Sequence, residues 1–284
     1  MTTEAPASRG LIHRIFQSPP VRIIVLGFLL VYLMAMNGDN MLSYASEPIK
    51  ALAHTISIAI AGFAVYIGYA HFIEQRNASE LALPGMGREL GIGMLVGFGL
   101  YGTTVLILIV MGIYRVEGLN PLTFLLPALA MAVSSGVFEE LLFRGVIYQS
   151  LIEKFGESLP TILISVLFSL AHLDISRIDV LALINVFLAG VLLSIMFLKT
   201  KSLILPISFH FFWNFFQVLL LDLPLSGNYI DSHLFIFRNY DVSRILYGGT
   251  FGVEGGLIVT IVLLVYIWIV NSKAFINKES NNRQ

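Results

Sequence analysis

The sequence contains no cysteine, which excludes disulfides, thiolate metal ligands and a thiol nucleophile. Charge is nearly as scarce. Only 12% of the 284 residues are Asp, Glu, Lys or Arg, about half of the ~25% found in soluble domains. The net charge is −1, so no basic excess marks a nucleic-acid partner. No repeat period and no shift of composition divides the chain into two globular parts.

What fills the sequence instead is apolar: 57% hydrophobic residues and a mean hydropathy of +0.84. A span of the hydrocarbon core needs about 20 such residues, fewer where neighbours cover its ends. Eight runs qualify: Val21 to Met36, Ala51 to Phe72, Leu90 to Tyr114, Pro121 to Ile152, Pro160 to His172, Asp179 to Leu198, Ser202 to Leu221 and Gly255 to Val270. The pattern predicts an all-α, polytopic membrane helix bundle of about eight transmembrane helices enclosing a polar cavity. It comprises an N-terminal tail (1–20), a membrane domain (21–272) and a C-terminal tail (273–284). Arg9 to Gln17 is too short and too broken to be a signal-peptide core.

The basic residues set the orientation. With both termini cytoplasmic, Arg9, Arg14, Arg22, Arg76, Arg88, Lys154, Lys199, Lys201, Lys273, Lys278 and Arg283 fall inside, and Lys50, Arg115, Arg177, Arg238 and Arg244 outside. Seven spans would put the basic C-terminal tail outside. The longest connection, Asp222 to Glu254, reads as a solvated, partly mobile segment, with Asp222, Asp231, Asp241 and Gly248-Gly249 and an aromatic belt of Tyr229, Phe235, Phe237, Tyr240 and Tyr247.

Against this background the polar residues inside the runs stand out. A charge at the centre of a membrane helix costs about 2.5–3.5 kcal/mol on insertion scales, yet the fourth run carries Glu139, Glu140 and Arg144 within six residues. Glu140 and Arg144 are i and i+4, on one helix face and able to pair, whereas Glu139 points about 100° away. Phe168 and His172 again share one face, as do His210 and Asn214. Two hydrogen-bonding side chains aimed the same way suggest either a common target or a polar clamp between helices. His54 and His71, near the ends of the second run, read as interfacial or packing residues. Asn185 can bond a neighbouring helix.

The ordered set Glu139-Glu140-x-x-x-Arg144, Phe168-x-x-x-His172 and His210-x-x-x-Asn214 resembles the CPBP (CAAX protease and bacteriocin-processing, or Abi) family of intramembrane proteases, which includes the type II CAAX prenyl endopeptidases. The resemblance covers Pro121 to Leu221. It implies an intramembrane endopeptidase of the prokaryotic plasma membrane, acting on a membrane-associated or prenylated, CAAX-like peptide or protein. The implied catalytic residues are Glu139, His172, His210 and Asn214, with Glu140, Arg144 and Phe168 in support. Glu139 takes a proton from water and passes it to the leaving amine. His172 holds the same water, and His210 and Asn214 donate to the oxyanion. The family is commonly described as metal-dependent, and Glu139, His172 and His210 would form its zinc set. With no His-Glu-x-x-His motif and Asn214 placed as a donor, no cofactor is expected. The Gly-x-Gly-Asp of aspartyl and Gly-x-Ser-Gly of rhomboid intramembrane proteases are absent. A non-catalytic scaffold or bacteriocin-immunity protein is the alternative. A proton-coupled transporter would call for broken helices repeated in two halves, which the sequence does not show.

Overall fold

The computed structural model of the chain describes residues 15–43, 47–122, 125–173, 179–220, 235–239 and 243–272. The expectations for the tails through Arg14 and from Lys273, and for Arg177, Asp222, Tyr229, Asp231, Tyr240 and Asp241, lie outside these residues.

Each of the eight apolar runs becomes a helix. In chain order the elements are α1 (Pro19–Ser43), α2 (Pro48–Gly68), α3 (Met86–Val110), β1 (Tyr114–Leu119), α4 (Leu125–Glu140), α5 (Gln149–Phe155), α6 (Ser158–Ala171), α7 (Val180–Thr200), α8 (Ile204–Leu220), β2 (Phe235–Asn239), the single turn α9 (Arg244–Tyr247) and α10 (Leu257–Asn271). Between α4 and α5 the helix does not break but loosens into a π-helical stretch, Leu141–Tyr148. Such wider turns are frequent at functional sites.

Among the described residues five helices are long and apolar enough to cross a membrane: Pro19–Asp39, Pro48–Ile73, Met86–Val110, Leu125–Phe155 and Val180–Thr200. Three more are apolar but shorter: α6, α8 and α10. The 14 residues of α6 reach only about 21 Å at 1.5 Å per residue, less than the ~30 Å hydrocarbon core. Phe28, Phe72, Leu95, Val110 and Trp268 project from the bundle surface, the placement expected where lipid rather than water is the solvent.

Local chemistry sets the helix ends. Proline opens α1 and α2, where its missing N–H is no loss. Asp179 caps α7, accepting from the Leu181 and Ala182 N–H groups at 2.8 and 3.3 Å. Gly156, at φ 72°, stops α5.

Small residues let the helices that carry the site approach closely. A Cβ on Gly97 of α3 would lie 3.0 Å from Phe212 Cβ of α8, and one on Gly136 of α4 would lie 3.0 Å from Phe211 Cα and N. Helix α8 is thus gripped between α3 and α4. Gly190 of α7 backs onto Ser165 of α6 in the same way.

Ion pairs show which helix ends lie together. Arg22 at the start of α1 meets Glu74, just past α2, and Glu153 at the end of α5, the latter at 2.9 Å. Arg76 extends the network to Glu80 at 2.8 Å, and Glu80 accepts from the Tyr66 hydroxyl at 2.6 Å. Tyr66 Oη also lies 3.1 Å from the Gly145 carbonyl within the π stretch. Lys201 reaches Glu157 at 3.0 Å, joining the end of α7 to the start of α6.

The all-helical expectation needs one correction. β1 and β2 pair antiparallel, Tyr114 opposite Asn239 and Leu119 opposite Phe235, with an irregularity between Val116 and Gly118. A ribbon of five or six residues per strand is too short to register against hydropathy runs of helical length. The long connection is likewise more than a solvated linker: Phe251, Val253 and Glu254 are buried, and Asn185 of α7 donates to the backbone carbonyls of Glu254 and Gly256 at 2.6 and 3.0 Å.

Candidate active site

Glu139 and Glu140 close α4 immediately before the π stretch, so two adjacent carboxylates project into the bundle in different directions. Glu140 is fully buried. One of its oxygens, Oε1, meets Arg144 Nη1 at 2.9 Å and His210 Nδ1 at 2.8 Å. Arg144, equally buried, also donates from Nη2 to the Gly190 carbonyl at 3.0 Å and lies over the Phe168 ring, Cζ to centroid 4.5 Å. A buried guanidinium requires this compensation, because removing it from water is expensive. Gly190 supplies the carbonyl and, lacking a side chain, also lets α6 close in.

Phe168 and His172 sit on one face of α6 with ring centroids 4.6 Å apart. His172 Nδ1 lies 2.8 Å from the Phe168 carbonyl. A carbonyl only accepts, so Nδ1 carries the proton and Nε2 of the neutral ring presents a lone pair. His210 Nδ1 is fixed against Glu140 in the same manner.

Both Nε2 atoms therefore turn toward Glu139. Its Oε2 lies 3.6 Å from His172 Nε2 and 3.9 Å from His210 Nε2, is buried, and has no hydrogen-bond partner among the described residues. Three acceptors converging at such separations call for a hydrogen-bond donor between them. Beside them a cavity of ≈ 40 Å³ is lined by His172, His210, Asn214, Asn185, Trp213 and Glu254 together with apolar residues of α6, α7, α8 and α10. That volume exceeds the ~10–15 Å³ that one water requires, and the polar lining supplies the partners.

As a metal centre the same three donors fall short. Zinc bonds of ~2.0–2.1 Å in a tetrahedron bring ligand atoms to about 3.3 Å from one another, closer than the 3.6 and 3.9 Å separations around Glu139 Oε2. Among the described residues no three His, Asp or Glu side chains group closely enough to hold a metal ion. The site as arranged does not fit one.

Asn214, one turn beyond His210, donates from Nδ2 to Ser135 Oγ at 2.7 Å, and Ser135 in turn donates to the Met131 carbonyl at 3.0 Å. His210 and Asn214 thus both reach α4. The structure brings Glu139, Glu140, Arg144, Phe168, His172, His210 and Asn214 together, although in sequence they are spread over three runs. His54 and His71 lie elsewhere, His71 exposed and edge-on to Phe72 at 4.7 Å. Sequence reasoning did not single out Ser135, the Gly190 carbonyl, Trp213 or Glu254. Trp213 Nε1 donates to Glu254 Oε1 at 2.7 Å. For Ser135 a signal existed, since it lies one helical turn before Glu139, on the face that turns toward α8.

Residues 121–216 match the family model described as Type II CAAX prenyl endopeptidase Rce1-like. Comparison with curated proteins and with solved structures gives no match. The matched segment runs from α4 to α8 and contains every one of the assembled polar residues except Glu254. The part of the chain that builds the site is therefore similar to an Rce1-like domain, in a chain with five helices long and apolar enough to cross a membrane among its described residues.

Proposed function

We propose that the protein is an intramembrane endopeptidase that hydrolyses a peptide bond of a membrane-associated or prenylated, CAAX-like substrate. The observation that carries this reading is the convergence of two histidine Nε2 atoms on one buried glutamate oxygen, unpartnered among the described residues, beside a water-sized cavity.

In this mechanism the water donates one hydrogen to Glu139 Oε2 and is steadied by His172 Nε2. Glu139 takes that proton as the oxygen attacks the scissile carbonyl. The oxyanion accepts hydrogen bonds from the second Nδ2–H of Asn214 and from Nε2–H of His210, which takes up a proton from solvent before the attack and keeps it through the cycle. Glu140 on the opposite side of the His210 ring neutralises the imidazolium, much as a carboxylate steadies histidine in a hydrolase triad. Glu139 returns the proton to the leaving nitrogen, the C–N bond breaks, and the new acid passes the water's second proton through Glu139 to the amine, so that a carboxylate and an ammonium leave. Arg144 touches none of the reacting atoms; it fixes Glu140, and through it His210. No metal takes part in any step.

In the same reading all eight apolar helices form the membrane bundle around a polar cavity, and the shorter α6, α8 and α10 are covered by their neighbours. Both termini face the cytoplasm, on the side where Arg22, Arg76, Lys154 and Lys201 gather.

The test is cleavage of a quenched peptide library by purified, detergent-solubilised protein, with Glu139→Gln in parallel. Cleavage by the wild type alone supports the proposal. A folded wild type that binds a partner equally well with or without Glu139→Gln and cleaves nothing supports the scaffold or immunity alternative.

A further inference from the structure

In the wall of the cavity stands a second polar group that the proposed mechanism leaves unused. Glu254 enters from the turn that precedes α10, and its carboxylate receives the indole N–H of Trp213. Asn185 holds that turn by two carbonyls and accepts in turn from the Thr260 hydroxyl at 2.6 Å. Four elements (α7, α8, the Glu254 turn and α10) are thus tied together where a membrane protein would be expected to pack aliphatic side chains.

Tyr101 of α3 completes the cluster. Its ring stands edge-on at 5.4 Å and 86° to Trp213, the residue whose indole N–H binds Glu254. The side chain is 0% exposed, yet its hydroxyl has no hydrogen-bond partner among the described residues. Phenylalanine would fill the same space without burying an unsatisfied O–H. A buried hydroxyl in that condition, on a ring packed against the Trp213 indole that itself lines the cavity, marks a water position.

We infer that Tyr101 Oη and the Glu254 carboxylate hold a second, resident water at the Glu254 wall of the cavity, and that this water replenishes the one consumed beside Glu139. Each turnover removes one water from a site within lipid. A position that receives water from the Glu254 turn and passes it on lets the substrate occupy the rest of the cavity without cutting off supply. Trp213 Nε1 fixes the carboxylate and Asn185 fixes the backbone that carries it, so that it accepts from the water in a set orientation. This role rests on the peptidase reading; the water position itself does not.

Tyr101→Phe separates the possibilities, since it deletes one oxygen and no packing. The chain has two tryptophans, so an ¹⁵N-indole spectrum shows two signals, assigned with Trp268→Phe. The expected results are a water-to-indole cross-peak at Trp213 in the wild type that is lost in Tyr101→Phe, a melting temperature lowered by about 2–4 °C, and a kcat reduced about tenfold at unchanged KM. An absent cross-peak in the wild type, its persistence in Tyr101→Phe, or a raised melting temperature would overturn the water position. An unchanged kcat with the cross-peak lost would overturn the supply role. Should the wild type cleave no peptide, the peptidase reading fails and takes the supply role with it, while the cross-peak and melting temperature still decide the water position.

Discussion

His210 Nδ1 lies 2.8 Å from Glu140 Oε1, the same oxygen that Arg144 holds at 2.9 Å. One carboxylate oxygen therefore fixes an arginine and a histidine from two different helices, and its neighbour in sequence, Glu139, is left to face the Nε2 atoms of His172 and His210.

Removing the cation exposes how much this oxygen depends on it. Arg144→Leu leaves Glu140 buried with its main compensation gone and is expected to cost about 3–5 kcal/mol of stability, read by equilibrium unfolding in detergent. The pair Glu140→Leu with Arg144→Leu should recover a large part of that loss. A double variant no more stable than Arg144→Leu alone contradicts the compensation argument.

Glu139→Gln should behave in the opposite way. Glu139 Oε2 makes no hydrogen bond among the described residues, so the melting temperature stays close to wild type, while peptide hydrolysis falls about 10²- to 10⁴-fold for loss of the general base. A large loss of stability would mean that Glu139 is structural.

Asn214 and Ser135 are predicted to act as one unit. Asn214→Ala removes an oxyanion donor and should lower kcat about 10²- to 10³-fold. Ser135→Ala only releases the amide from its 2.7 Å tether and should lower kcat about tenfold. The double variant should match Asn214→Ala, because residues that share one function are not additive; additive losses would show that Ser135 acts elsewhere.

Excess chelator should leave the turnover of purified protein unchanged, since the donors around Glu139 stand too far apart for zinc. Loss of activity restored by added zinc would replace the water mechanism with a metal one.

Much of this arrangement was legible in the sequence, because lipid leaves few ways to place a charge. Eight hydropathy runs became eight helices with ends shifted by a few residues, and the Glu140–Arg144 pair followed from i, i+4 spacing alone. The facing of His210 toward both glutamates was not legible: periodicity fixes which residues share a face, not which helix that face meets. The gripping of α8 by α3 and α4 through Gly97 and Gly136 decides that, and a glycine in an apolar run is compatible with many different packings. Glu254 lay in what reads as a linker, and Ser135 was hidden as a small residue among small residues. The β1–β2 pairing joins segments more than a hundred residues apart, a separation that no local pattern reports.

The π-helical stretch Leu141–Tyr148 has a consequence for how one long helix serves two purposes. Looser winding puts the residues after it out of step with those before it, as a vernier scale slips against its ruler. The α4 end can then aim Glu139 and Glu140 at α6 and α8, while Gly145 and Gln149 meet Tyr66 of α2. A straight α-helix of the same sequence could keep one of these alignments but not both. Chemistry in the bundle interior and the charged collar at its end are thereby set in phase independently, and a one-residue deletion within this stretch would disengage one from the other without removing any residue of either.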